Sequence, residues 1–172
     1  QLLELAAQCD HVFRRNFRAD AVDGAFNAIH HLDVNAAAAA LELDEVIEKL
    51  ITENGVDVFY TGGMGQFDEQ FTNTVRKAKL KHNHISIILI KPYFSNELNT
   101  NKEYYNYRYD DVMVCEESEL VHPKAAIKKR NRWMVDECDF VIGYIQRDYG
   151  GAYDAIKYAK RMKKQVIMVS KK

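Results

Sequence analysis

Cysteine is scarce in this 172-residue chain, and the three present, Cys9, Cys115 and Cys138, stand far apart. They form no CxxC pair and are odd in number, which excludes a disulfide framework and a zinc site of the usual spacing. Reduced, buried thiols in a cytoplasmic protein are the expectation. Long hydrophobic runs are missing too: the apolar stretch at 85–90 is far too short to cross a bilayer. No basic-then-apolar leader stands near Gln1. A start at Gln1 rather than Met fits a fragment. An excess of one charge is also absent, since 24 Lys and Arg against 25 Asp and Glu leave a net charge of −1. That balance argues against nucleic acid as a partner, because bulk binding of a polyanion needs a basic surface. A local basic patch stays open. Neither a GxGxxG nor a Walker A sequence occurs. No His pairs with a Cys or Ser as a nucleophile would require, and there is no internal repeat. What is there is 47% apolar and 28% charged, the profile of a globular chain with the length of one domain.

From residue 56 onward strand-like and helix-like segments alternate. Residues 56–60 are β-branched and aromatic and run into Thr61-Gly62-Gly63. Apolar residues at helical spacing predict a helix over 67–81. Residues 85–90 read as the clearest strand, ended by Pro92, followed by an Asn- and Tyr-rich loop over 93–109 and a short strand at 112–114. His122-Pro123 opens a helix over 124–137. A strand over 139–144, a helix over 152–163 and a strand over 165–169 complete the pattern. Such alternation implies βαβ units, hence an α/β, Rossmann-like, mostly parallel sheet flanked by helices on both faces. Ligands then bind beyond the carboxyl ends of the strands. Nearer Gln1, a helix over 1–8 and a weak strand at 11–13 are candidates. The five alanines 36–40 and the residues after them predict a helix over 35–53 closed by Asn54-Gly55. An alanine run is also what a linker or cloning remnant looks like. His30, His31, His82 and His84 are expected on helix or loop surfaces. The domain expectation is one Rossmann-like unit over 1–172, with 1–40 divergent or foreign to it and 41–169 as its core.

Three segments carry chemistry. Thr61-Gly62-Gly63-Met64-Gly65 with Asp68 lies between a strand and a helix, where glycines admit a close ligand and free N–H groups suit a phosphate. Asp68 suits capping or a ribose hydroxyl. Gly150-Gly151 repeats the arrangement, with Asp154 in the first helical turn. The third segment is 128–136, in which Arg130 or Arg132 would fork onto a phosphate, against the plainer reading of a solvated basic face. Tyr104, Tyr105, Tyr107 and Tyr109 would stack a base, or serve as a packed cover or partner surface.

In this order the segments resemble the SLOG superfamily, which groups Smf-type DNA-processing proteins with the lonely-guy phosphoribohydrolases. The matching residues are 58–68, 129–136, and 138–144 through Gly150-Gly151-Ala152-Tyr153 to 158–159, spanning about 41–169. The resemblance implies a Rossmann-like fold and a nucleotide-type ligand held by Gly62, Gly63, Gly65, Arg130, Gly150 and Gly151. Where the phosphoribohydrolase pattern carries Glu, this chain has Ile156. Where the related deoxyribosyltransferases carry their nucleophilic Glu, it has Ala155. The Gly-His-Arg strand end of related small proteins has no clean match. The resemblance allows a homodimer.

The leading expectation is therefore a cytoplasmic domain that binds or senses a nucleotide or phosphorylated small molecule with little turnover, needing no metal or resident cofactor and not tied to a membrane. The second is an enzyme cleaving a nucleotide N-glycosidic bond, with Asp68, Asp136 and Asp154 as its candidate carboxylates. The third is a DNA-processing or protein-interaction scaffold.

Overall fold

Three strands show why the sheet is buried on both sides. Phe59, Ile87, Leu89, Phe140 and Ile142 point to one face, and Tyr60, Ile90 and Val141 to the other. The period-2 alternation of a strand delivers apolar side chains to two cores at once, as a sheet covered on both faces requires. The structure, a computed structural model, describes residues 26–31, 36–119, 121–145 and 147–169. The candidate helix at 1–8 and strand at 11–13 lie outside them.

The strands are β1 (Phe26–His31), β2 (Val56–Thr61), β3 (Ser86–Lys91), β4 (Asp111–Val114), β5 (Phe140–Gly143) and β6 (Gln165–Met168). The helices are α1 (Ala36–Asn54), α2 (Gln66–Lys79), α3 (Glu97–Thr100), α4 (Lys102–Arg108), α5 (Glu116–Glu119), α6 (Pro123–Asp136) and α7 (Gly151–Arg161). All pairings are parallel, in the order β4-β3-β2-β1-β5-β6. Leu43 and Ile47 of α1 and Phe67, Phe71 and Val75 of α2 cover one face. Met134 and Val135 of α6 and Ile156 and Ala159 of α7 cover the other. This is the expected Rossmann-like α/β architecture.

The chain order reverses between β1 and β5, because β2, β3 and β4 extend the sheet to one side and β5 returns to the other. Loops leaving two such strands diverge and open a crevice at their carboxyl ends. Gly62–Gly65 and Gly150 both lie at that edge.

Two expectations are corrected. His30 and His31 end β1, a central strand, rather than lying on a helix or loop surface. Strand pairing on both sides, to β2 and β5, sets this backbone against the weak β propensity of Asn27, Ala28 and the histidines. The span 93–109 is not a plain loop. It holds α3 and α4, separated at Asn101 (φ −111°, ψ 33°). Leu98, Tyr105 and Tyr109 are buried there, and packing stabilises helices that local propensity leaves marginal. The alanines 36–40 form the first turns of α1, which ends before Gly55 at φ 69°.

Candidate functional site

The first glycine loop is closed by its own side chains. Thr61, at the end of β2, accepts the Gly63 N–H at 3.3 Å and donates to Asp68 at 3.4 Å. Asp68, in the first turn of α2, accepts the Met64 N–H at 2.5 Å. This carboxyl group is 1% exposed, and burial pushes it up to about 7 against the bonds and the Arg130 charge that favour its ionised form. It fastens the loop through Thr61 and Met64.

Arg130 comes from α6 and is fully buried. Its Nη1 donates to the Gly62 carbonyl at 3.0 Å and to the Ile90 carbonyl at 2.8 Å, and its Nη2 lies 3.6 Å from the Met64 sulfur. Burial lowers its pKa, and the Asp68 charge opposes that shift. Its Nε has no partner among the described residues. A Cβ on Gly62 would stand 2.5 Å from Nη1, so only glycine lets the loop rest on the guanidinium. Arg130 thus bears on the underside of the loop. Met64, in the same loop, is 43% exposed.

The second loop repeats the backbone of the first. Gly65 has φ 103° and ψ 170°, and Gly150 has φ 100° and ψ 177°. That region is essentially reserved for glycine. Neither helix start has a side-chain cap, so first-turn N–H groups of α2 and α7 face outward with the positive end of each dipole. Asn131, next to Arg130 on α6, lies under this loop, its Nδ2 3.8 Å from where a Gly151 Cβ would be. It is 3% exposed, and its Oδ1 has no partner among the described residues. Two consecutive residues of α6 therefore support both loops.

The remaining candidates separate. Asp154 is exposed and pairs with Lys128 at 2.9 Å, which lowers its pKa. Arg132 is exposed and stacks on Tyr158 at 5.4 Å. Asp136 ends α6 at the opposite edge of the sheet, where it accepts the Tyr158 hydroxyl at 2.9 Å. Ile156 and Ala155, which stand where related enzymes carry Glu, are core residues. Ile156 fills the space above Gly143, whose Cβ would meet it at 2.5 Å.

Exposed aromatics around these loops are the feature that single-sequence reading missed. Tyr93 and Phe94 follow β3 and are 42% and 41% exposed. Tyr149 precedes the second loop at 65% exposure, with the Arg147 guanidinium 5.8 Å from its ring centre. A groove of about 580 Å³ between α1 and α2, edged by Glu45, Glu48, Lys49 and Lys81, includes none of the loop residues. Among the described residues no helix is long and apolar enough to cross a membrane, and no three His, Cys, Asp or Glu converge as metal ligands.

No known family profile matches the chain. An uncharacterised SPbeta prophage-derived protein of Bacillus subtilis (strain 168), YoqJ, is 28% identical over 131 residues, covering 67% of this chain and 77% of that protein. DNA processing protein A from Helicobacter pylori, in a structure described for its single-stranded DNA binding mode, superposes with a TM-score of 0.61 at 16% identity, over 85% of this chain and 66% of that one. DNA processing protein A from Streptococcus pneumoniae gives 0.55 at 16% identity, over 84% and 50%. This chain has the Rossmann-like fold of DNA processing protein A. It spans two thirds or less of those solved chains.

The likeness corrects two expectations. The leading reading, a sensor of nucleotides or phosphorylated small molecules, is not what these neighbours support: both are DNA processing proteins, one of them described for its single-stranded DNA binding mode. The expectation against nucleic acid as a partner falls with it. It rested on net charge, which averages over the whole surface and is blind to a local arrangement of backbone donors and aromatic rings.

Proposed function

We propose that this chain is a DNA-processing module of the SLOG superfamily that binds single-stranded DNA along the carboxyl edge of its sheet. The carrying observation is the composition of that edge: two uncapped, glycine-started helix N-termini stand among exposed Met64, Tyr93, Phe94 and Tyr149. Helix N-termini take phosphates through N–H groups. Aromatic faces take unpaired bases irrespective of sequence, at about 1–3 kcal/mol per base. Alternating phosphate and base sites match a single strand, whose bases are free to stack. The superfamily likeness in 58–68, 129–136 and 138–159 and the DNA processing neighbours support the same reading. Gly62, Gly63, Met64, Gly65, Gly150 and Gly151 would touch the strand, with Lys91, Lys128 and Arg147 as nearby cations. Thr61, Asp68 and Arg130 would hold the first loop in shape. Of the candidate carboxylates beside the loops, Asp68 is buried and Asp154 is ion-paired with Lys128.

Fluorescence anisotropy with labelled oligo(dT) at low salt tests this, with a duplex of equal length as control. The single strand should bind preferentially, and Tyr149→Ala should weaken it about 10-fold with no change in Tm. Absence of binding at about 100 µM protein, the weak end of non-specific DNA affinity, refutes the proposal.

A further inference from the structure

The connection from β3 to β4 begins at the carboxyl edge with Tyr93 and Phe94 and continues through α3 into α4. On α4 and at its C-cap the tyrosines divide by burial. Tyr105 and Tyr109 are 5% and 9% exposed, whereas Tyr104 and Tyr107 are 53% and 72% exposed. The buried pair joins the outer surface to the first glycine loop: Tyr109 OH lies 3.6 Å from where a Gly63 Cβ would be, Tyr109 stacks on Tyr105 at 6.4 Å, and Tyr105 meets Tyr104 edge-on at 5.3 Å. Each exposed ring also has a guanidinium over it. Arg76 of α2 is 4.2 Å from the Tyr107 ring centre, and Arg108 is 5.6 Å from that of Tyr104.

We propose that Tyr104 and Tyr107, with Arg76 and Arg108, form a second stacking surface for single-stranded DNA that carries the strand beyond the glycine loops. A ring with one face under a guanidinium leaves the other face for a base, and Arg76 meets the adjoining phosphate, whereas the Arg108 side chain, 13% exposed, serves to hold the Tyr104 ring. Arg76 has no carboxylate partner among the described residues. Arg108 approaches Glu69 only at 4.0 Å. Among the described ion pairs, Glu69 is the carboxylate that faces these guanidinium groups, through Arg108. Double-stranded DNA offers no free base faces, so the surface fits a single strand. The inference rests on the single-stranded DNA reading of the loops and extends it.

Length dependence separates the two. With the full chain, a Tyr104→Ala/Tyr107→Ala variant is compared with wild type on oligo(dT) of about 6 and about 20 nucleotides, lengths bracketing typical site sizes. The longer oligomer should lose about 30-fold or more in affinity, from two lost stacking partners, and the shorter one should bind as before. A Tyr104→Phe/Tyr107→Phe variant should bind both as wild type does, since the ring faces remain. Unchanged affinity for the longer oligomer, or equal loss for both, overturns the second surface while leaving the loop site standing. If wild type binds neither oligomer, both readings fall.

Discussion

Replacing Arg130 by methionine isolates what the buried guanidinium does. The side chain is fully buried, and Nη1 supplies donors to the carbonyls of Gly62 and Ile90. Methionine fills much of the volume and donates nothing. Two buried carbonyls then lose a partner, each worth about 1–3 kcal/mol when left unsatisfied. Asp68 also loses its neighbouring positive charge, and removing one member of a buried charged cluster costs about 3–5 kcal/mol. Against this, the guanidinium no longer has to be desolvated, and protonation of Asp68 relieves part of the imbalance. The net loss is about 2–4 kcal/mol. For a chain of this size each kcal/mol moves Tm by about 2–4 °C, so calorimetry at pH 8 should show a fall of about 5–15 °C. Adding Asp68→Asn should restore part of it, because the uncompensated carboxylate is gone. Arg130→Lys, which keeps a charge but not the fork, should fall between. An Arg130→Met protein whose Tm stays within about 2 °C of wild type would show that the guanidinium does not brace the loop.

Asp68 also sets a pH dependence. Its folded value is raised from 3.8 to about 7 by burial, so the native state binds more protons than the unfolded chain between those limits. Its contribution to stability is therefore largest below about pH 4 and is lost as pH rises through about 7. Asp68→Asn removes that slope, and its Tm relative to wild type should climb from about pH 4.5 to about pH 8; a constant difference across that range refutes the assignment. Cys138 is 1% exposed, with its thiol pushed up to about 12 by burial. In the native protein at pH 8, iodoacetamide should leave it unalkylated by mass spectrometry, and alkylation at the rate of the denatured chain would contradict that burial.

Much of the fold was legible because its signals are local. The β-branched and aromatic segments at 56–60 and 85–90, and the glycines after β2 and before α7, each announce an element without help from the rest of the chain. β1 was not legible. Phe26-Asn27-Ala28-Ile29-His30-His31 has neither alternation nor strong β propensity, and it is a strand through its two neighbours. The site was legible by position but not by depth. A helical repeat places Arg130, Asn131 and Arg132 on different sides of α6, yet only the fold shows that Arg130 and Asn131 lie under the loops while Arg132 faces outward onto Tyr158. Exposure of Tyr93, Tyr104, Tyr107 and Tyr149 is likewise a tertiary property. The sequence presents the same residue at Tyr105 and Tyr109, which are buried.

The net charge of −1 led away from nucleic acid, and the reason it does so is instructive. A protein that grips a polyanion by neutralising phosphates releases counterions and needs an excess of Lys and Arg. A protein that grips it by stacking needs exposed rings, which carry no formal charge. Here Arg76, Arg108 and Arg147 each lie over a tyrosine, so these three cations are held beside the rings. With about two or three phosphates neutralised, the logarithm of affinity for a single strand should fall with that of salt at a slope of only about −1.4 to −2.1. The same anisotropy titration, repeated across salt, therefore weighs the two modes. A slope several-fold steeper would mean that phosphate contacts dominate and that the aromatic rim is incidental.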